Sequence, residues 1–88
     1  MNLRFERSFA GDLKTVRDGA LLQRVKRIIE QVEACADLYE LPQVKQLEGT
    51  PDTYRIRVGE YRLGLVTEGD SVVFVRFLHR KEIYWYFP

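Results

Sequence analysis

The chain has 88 residues, 45% of them hydrophobic and 31% charged, the proportions of one small globular domain spanning 1–88 rather than of a disordered tail or a membrane-spanning chain. Fourteen Lys and Arg against 13 Asp and Glu leave a formal net charge of +1, unlike the strongly basic proteins that coat nucleic acid nonspecifically. A single cysteine, Cys35, and a single histidine, His79, exclude an internal disulfide and a Cys/His zinc set. No metal and no cofactor are expected.

Leu3, Phe5 and Arg7 alternate with Arg4 and Glu6, a period of two that predicts a short first strand. The same opening residues carry no apolar signal segment, and no apolar run exceeds Ile83–Phe87, so a cytoplasmic location is expected. Ser8 is placed to cap a short helix in which Phe9, Leu13 and Val16 recur at helical spacing, before Asp18-Gly19 breaks it. A second helix is predicted from about Ala20 to Asp37, with Leu21, Val25, Ile28, Val32 and Cys35 forming one apolar stripe and Arg24, Lys26, Arg27, Glu30 and Glu33 the other side. Leu41-Pro42 ends the helical region, and Glu48–Thr53 reads as a loop.

From Tyr54 the pattern is that of strands. Tyr54–Val58 alternates, Gly59-Glu60 fits a two-residue hairpin, Tyr61–Val66 returns, Glu68-Gly69-Asp70 turns again, and Ser71 to about Leu78 makes the last strand. The expected order is β-α-α-β-β-β, an α+β domain with two helices on one face of a mainly antiparallel sheet.

Side-chain parity carries the functional reading. A two-residue turn at Gly59-Glu60 sets Arg57 opposite Arg62 and Arg55 opposite Gly64, and turns Ile56, Val58, Leu63 and Leu65 toward the helices. With a three-residue turn at Glu68–Asp70, Val73, Val75 and Phe77 join the core set, and Arg76 and Arg80 join the outer face. Five arginines, Arg55, Arg57, Arg62, Arg76 and Arg80, are then expected on one face with no acidic residue among them. Like charges directly opposite are unfavourable, and guanidinium forks suit phosphate, so this face is expected to bind an anion. The plainer alternative is a solvated face whose side chains splay into water.

Other candidates are His79, able to move a proton if free to titrate, and the run Tyr84-Trp85-Tyr86-Phe87, able to fold back on the core, to stack on bases or to dock a partner. Val44-Lys45-Gln46-Leu47, with one basic group, makes no patch of its own.

Leu47-Glu48-Gly49, the stretch YRIRVGEYRL at Tyr54–Leu63, VVFV at Val72–Val75 and HRKEIY at His79–Tyr84 resemble the RelE/ParE superfamily of type II toxins over nearly the whole chain. That resemblance implies a ribosome-dependent mRNA endonuclease if the chain is RelE-like, or a DNA gyrase inhibitor that acts by binding if it is ParE-like. A degenerate member kept only to bind its antitoxin is a third possibility. It implies a cognate antitoxin as partner, with ribosome and mRNA, or gyrase, as target. Carried over residue by residue, the RelE pattern falls on Arg55, Arg57, Arg62, Arg80 and Tyr84. The implied chemistry is attack of a ribose 2′-OH on the adjacent phosphate, leaving a 2′,3′-cyclic phosphate, with arginines stabilising the charge that develops. Several relatives carry lysine where this chain has Arg55 and Arg57. Arginine cannot give up its proton, so the general base falls to Tyr84 or His79.

Overall fold

A computed structural model describes residues 1–88. Strand β1 (Asn2–Phe5) leads into helices α1 (Arg7–Thr15) and α2 (Gly19–Ala34), and a 3-10 turn at Leu38–Glu40 follows. Strands β2 (Val44–Gln46), β3 (Thr53–Val58), β4 (Tyr61–Glu68) and β5 (Ser71–His79) come next, and a single-turn helix, α3 (Ile83–Tyr86), closes the chain. The strands form one five-stranded sheet in the order β1-β5-β4-β3-β2. Only β1 pairs in parallel, with β5; the other neighbours are antiparallel.

Local chemistry explains most boundaries. Asp18 caps α2 by accepting from the Ala20 and Leu21 amides at 3.0 and 3.2 Å. The helix stops at Cys35 rather than Asp37 because Asp37 and Glu40 form a reciprocal capping box for the 3-10 turn, with Glu40 accepting from the Asp37 amide at 2.9 Å. Ser8 does not cap α1. Glu6 occupies that position without a side-chain bond, and the Ser8 hydroxyl donates to the Val75 carbonyl at 2.6 Å instead.

The core lies between the helices and one face of the sheet. Phe9, Leu21, Val25 and Val32 pack on Ile56, Val58, Leu63, Leu65, Val72, Phe74 and Phe77. Cys35 belongs to it, and burial pushes its thiol pKa up. Val25 is fully enclosed, so Val25→Asp is expected to abolish the cooperative thermal transition by burying an unpaired carboxylate. A cooperative melt near that of the wild type would mean that the apolar face of α2 is not in the core.

The last strand differs from expectation. Glu68 pairs directly with Ser71, so the turn has two residues, not three. Parity is restored by a β-bulge: Gly64 faces Arg76 but Leu65 faces Phe74, which leaves Val75 without a partner. Val72 and Phe74 therefore point to the helices together with Phe77, and Val73 and Val75 are not the core set. Val73 is buried on the opposite face, apart from the main core, as are Ile83 and Phe87, where α3 packs on β5. Strand β2 and helix α3 extend the predicted order to β-α-α-β-β-β-β-α. No helix is long and apolar enough to cross a membrane.

Candidate functional site

Pairing of β3 with β4 sets Arg57 opposite Arg62 and Arg55 opposite Gly64, as the hairpin turn requires. Strand β2 adds Lys45 directly opposite Arg55. This outer face is covered in part by α3, which stands on two buried anchors, Ile83 and Phe87, and turns Tyr84, Trp85 and Tyr86 outward. Tyr84 is 74% exposed and its ring lies 4.9 Å from the Arg55 guanidinium carbon, within reach of a cation–π contact.

Three adjoining clefts share these residues. The roomiest, about 490 Å³, is bordered by Arg57, Arg62 and Arg80, by Arg24 from α2, and by Gln43, Gly59 and Glu60, with no hydrophobic side chain. A second, about 330 Å³, runs from Gln43 and Lys45 across Arg55, Arg57 and Arg62 to Tyr84. A third, about 230 Å³, joins Arg55, Arg62, Arg80, Lys81 and Tyr84. Seven basic side chains thus border the three clefts, against the one carboxylate of Glu60. The chain's near-neutral total hides a strongly segregated surface, and a field of one sign along a cleft gathers anions whatever the net charge.

The arginines differ in how they are held. Arg62 Nη1 donates to the Gly59 and Tyr61 carbonyls at 2.9 and 2.8 Å, which fixes its guanidinium over the turn. Arg80 Nε pairs with Glu60 Oε2 at 2.6 Å on an exposed surface, so the outer face does carry an acidic neighbour. Arg57 has no carboxylate partner.

Two expected site residues are not brought into this group. Arg76 lies on the predicted face, but its guanidinium is committed within the fold: Nε and Nη2 donate to the Asp12 carboxylate at 2.8 and 2.9 Å. Asp12 also accepts from the Phe77 amide at 2.9 Å, along the stretch of β5 that β1 does not reach. The hydrogen bonds donated to Asp12 raise the Arg76 pKa, holding it charged as a structural ion pair. His79 is paired with Tyr61, so it lies on the face opposite Arg62. Its ring meets Tyr61 edge-on at 5.6 Å, and Nδ1 accepts from the Lys81 amide at 3.2 Å. It borders none of the three clefts.

Arg24, Gln43 and Lys45 were missed by sequence reasoning. Arg24 stands on the polar side of α2 with nothing in the pattern to say that this helix overhangs the β3–β4 turn. A three-residue strand is too short for its period to show, and Lys45, the one basic group of Val44–Leu47, makes no patch until β2 pairs with β3. Gly64, opposite Arg55, is covered by the chain itself. A Cβ at Gly64 would fall 2.7 Å from the Phe87 ring, so the glycine admits the chain's own C-terminal segment. Gly64→Val is expected to lift Phe87 and α3 off the sheet, speeding amide exchange over residues 83–87 at least about ten-fold with β3–β5 still protected. Unchanged protection there would show that Phe87 does not anchor the segment.

Three comparisons bear on this geometry. The family model described as "ParE toxin of type II toxin-antitoxin system, parDE" matches residues 3–84. The chain is 44% identical to Toxin RelE3 of Methanocaldococcus jannaschii over 89 residues, covering all of both chains. Its fold superposes on the RelB-RelE antitoxin-toxin complex from Methanococcus jannaschii with a TM-score of 0.82 and 42% identity, over 97% of this chain and 99% of that one. It superposes on the archaeal RelE-RelB complex from Pyrococcus horikoshii OT3 with a TM-score of 0.74 and 22% identity, over 90% and 93%; that likeness is one of fold.

Proposed function

The chain belongs to the RelE/ParE superfamily of type II toxins, and from that membership we propose that it is the toxin of a toxin–antitoxin pair, cutting mRNA on the ribosome and held inactive by a cognate antitoxin. The antitoxin is the counterpart of the RelB chain that accompanies RelE in the two archaeal complexes. One observation carries the nuclease reading. Arg55, Arg57, Arg62 and Arg80 converge with Tyr84 on clefts open to a polyanion, and all five match the pattern expected of an RNA-cleaving member.

In the proposed reaction the ribose 2′-oxygen attacks the adjacent phosphorus, the bond from phosphorus to the 5′-oxygen of the next nucleotide breaks, and the products are a 2′,3′-cyclic phosphate and a 5′-hydroxyl. Arg57 and Arg62, facing each other across the hairpin, bind the non-bridging oxygens and stabilise the added negative charge of the transition state. Arg62 needs little reorganisation for this, since the turn carbonyls already hold it. Arg80 borders two of the clefts and adds a cation once the phosphate competes with Glu60. Of the two proton-transfer candidates, only Tyr84 stands beside the arginines, and its phenolate form is assigned the 2′-OH proton; the leaving oxygen takes a proton from water, and the hydroxide so formed takes the proton back from Tyr84. Arg55, under the Tyr84 ring, sets the position of that phenol. Arg76 and His79 are left out of the reaction.

Primer extension on a reporter message after brief induction tests this reading. Translation-dependent cuts within codons, absent from an Arg57→Ala strain, are the expected result. A ParE family model covers residues 3–84, which favours a second reading, inhibition of DNA gyrase by binding; growth arrest with intact message would transfer the assignment to it.

A further inference from the structure

The roomiest cleft is larger than a single phosphate needs and is only partly built from the strand arginines. Helix α2 overhangs the β3–β4 turn and brings Arg24 to it. The Arg24 guanidinium rests on the turn where Gly59, at φ 59°, has no side chain; a Cβ there would come within 3.2 Å of Arg24 Nη1. Glu60 borders the same cleft but is paired with Arg80. Three guanidinium groups, Arg24, Arg57 and Arg62, therefore face it without a carboxylate partner. With no hydrophobic wall, the cleft offers nothing to a base or an apolar side chain. What it can hold is an anion.

We infer that this cleft is a second phosphate subsite, which takes the backbone phosphate next to the scissile one and has Arg24 as its own ligand. The inference rests on the RNA-cleavage reading above and extends it to the register of the strand. Arg57 and Arg62 line both this cleft and the neighbouring one that holds Arg55 and Tyr84. Two anion sites with two walls in common are immediate neighbours, and a phosphodiester chain supplies one phosphate per nucleotide. A phosphate of ribosomal RNA has the same chemistry. The shared walls favour the substrate strand, because a ribosomal phosphate would have to share Arg57 and Arg62 with a substrate already bound there.

The test uses the full-length chain freed of antitoxin and a fluorescent tetraribonucleotide methylated at every 2′-oxygen, which binds but cannot be cut. Each phosphodiester is replaced in turn by a neutral methylphosphonate. Arg24→Ala is expected to weaken binding about ten-fold, to lower the slope of affinity against salt by about one ion, and to lose sensitivity to neutralisation at one linkage while keeping it at the next. Arg24→Lys, which keeps the charge, should recover part of the loss. Arg24 is exposed, so the variants are expected to melt like the wild type. Wild-type affinity in Arg24→Ala, or losses from Arg24→Ala and every neutral linkage that simply multiply, would overturn the subsite while leaving the nuclease reading intact. Wild-type affinity in Arg57→Ala as well would overturn the reading on which it rests. An Arg24 effect seen with programmed ribosomes but not with the free oligonucleotide would assign the cleft to ribosomal RNA, and the inference as stated would be wrong.

Discussion

Arg57→Ala is expected to lower mRNA cleavage by about 10²–10³-fold, the cost of removing one preorganised donor from a developing oxyanion, while leaving the melting temperature unchanged or slightly higher. The two halves of this expectation have separate causes. Arg57 is exposed, has no carboxylate partner and directly faces Arg62. Like charges in cross-strand register repel, and removing one relieves the pair. On the proposed reading, the unpaired guanidinium is kept for the phosphate and not for the fold. Arg57→Lys keeps the charge but not the fork, and should recover only part of the rate. Kinetics of purified variants on programmed ribosomes, beside thermal melts, would check both halves. An Arg57→Ala variant that loses its cooperative melt would show that the strand arginines serve the fold instead.

Asp12→Asn is expected to act in the opposite way, removing about 3 kcal/mol of stability and lowering the melting temperature by about 12–24 °C for a chain of this size. The Asp12 carboxylate is nearly buried and accepts three hydrogen bonds, two from Arg76 and one from the Phe77 amide. An amide of the same shape offers one acceptor oxygen and no charge, so the guanidinium loses its counter-ion in a partly desolvated place. Replacing both partners, as in Asp12→Leu with Arg76→Met, should cost less than Asp12→Asn alone, because no charge is then left behind. Cleavage by the folded fraction of Arg76→Met should stay near that of the wild type, since Arg76 is held by α1. A fall comparable to that of Arg57→Ala, with the fold intact, would return Arg76 to the reaction.

The contrast between Arg57 and Arg76 shows what the sequence could and could not disclose. Both are arginines in an alternating strand, and parity placed both on the outer face, where they are found. Parity ranks direction but says nothing of partners. The carboxylate that claims Arg76 comes from a helix 64 residues earlier in the chain, and no local pattern announces it. The β3–β4 hairpin was fully legible because a two-residue turn fixes register by itself. The β4–β5 pair was not, since a bulge and a shorter turn produce the same parity at Arg76 as a three-residue turn, and only the directions of Val72, Val73, Phe74 and Val75 tell them apart. Tyr84 could be reached from the resemblance but not placed from the pattern. Its position depends on Phe87 filling the space above Gly64, a contact between residues 23 positions apart. Arg24 carried no signal at all, because the angle at which a helix crosses a sheet is set by packing and not by its polar face.

The most direct test of the nuclease account is cleavage by the purified chain of a message held in programmed ribosomes, with the end group identified and with a 2′-deoxy nucleotide substituted on the 5′ side of the cut. The account predicts cleavage within the codon, a 2′,3′-cyclic phosphate at the new end, and no product from the 2′-deoxy message. Intact message together with inhibited supercoiling by DNA gyrase, or cleavage that persists without the 2′-hydroxyl, would contradict it.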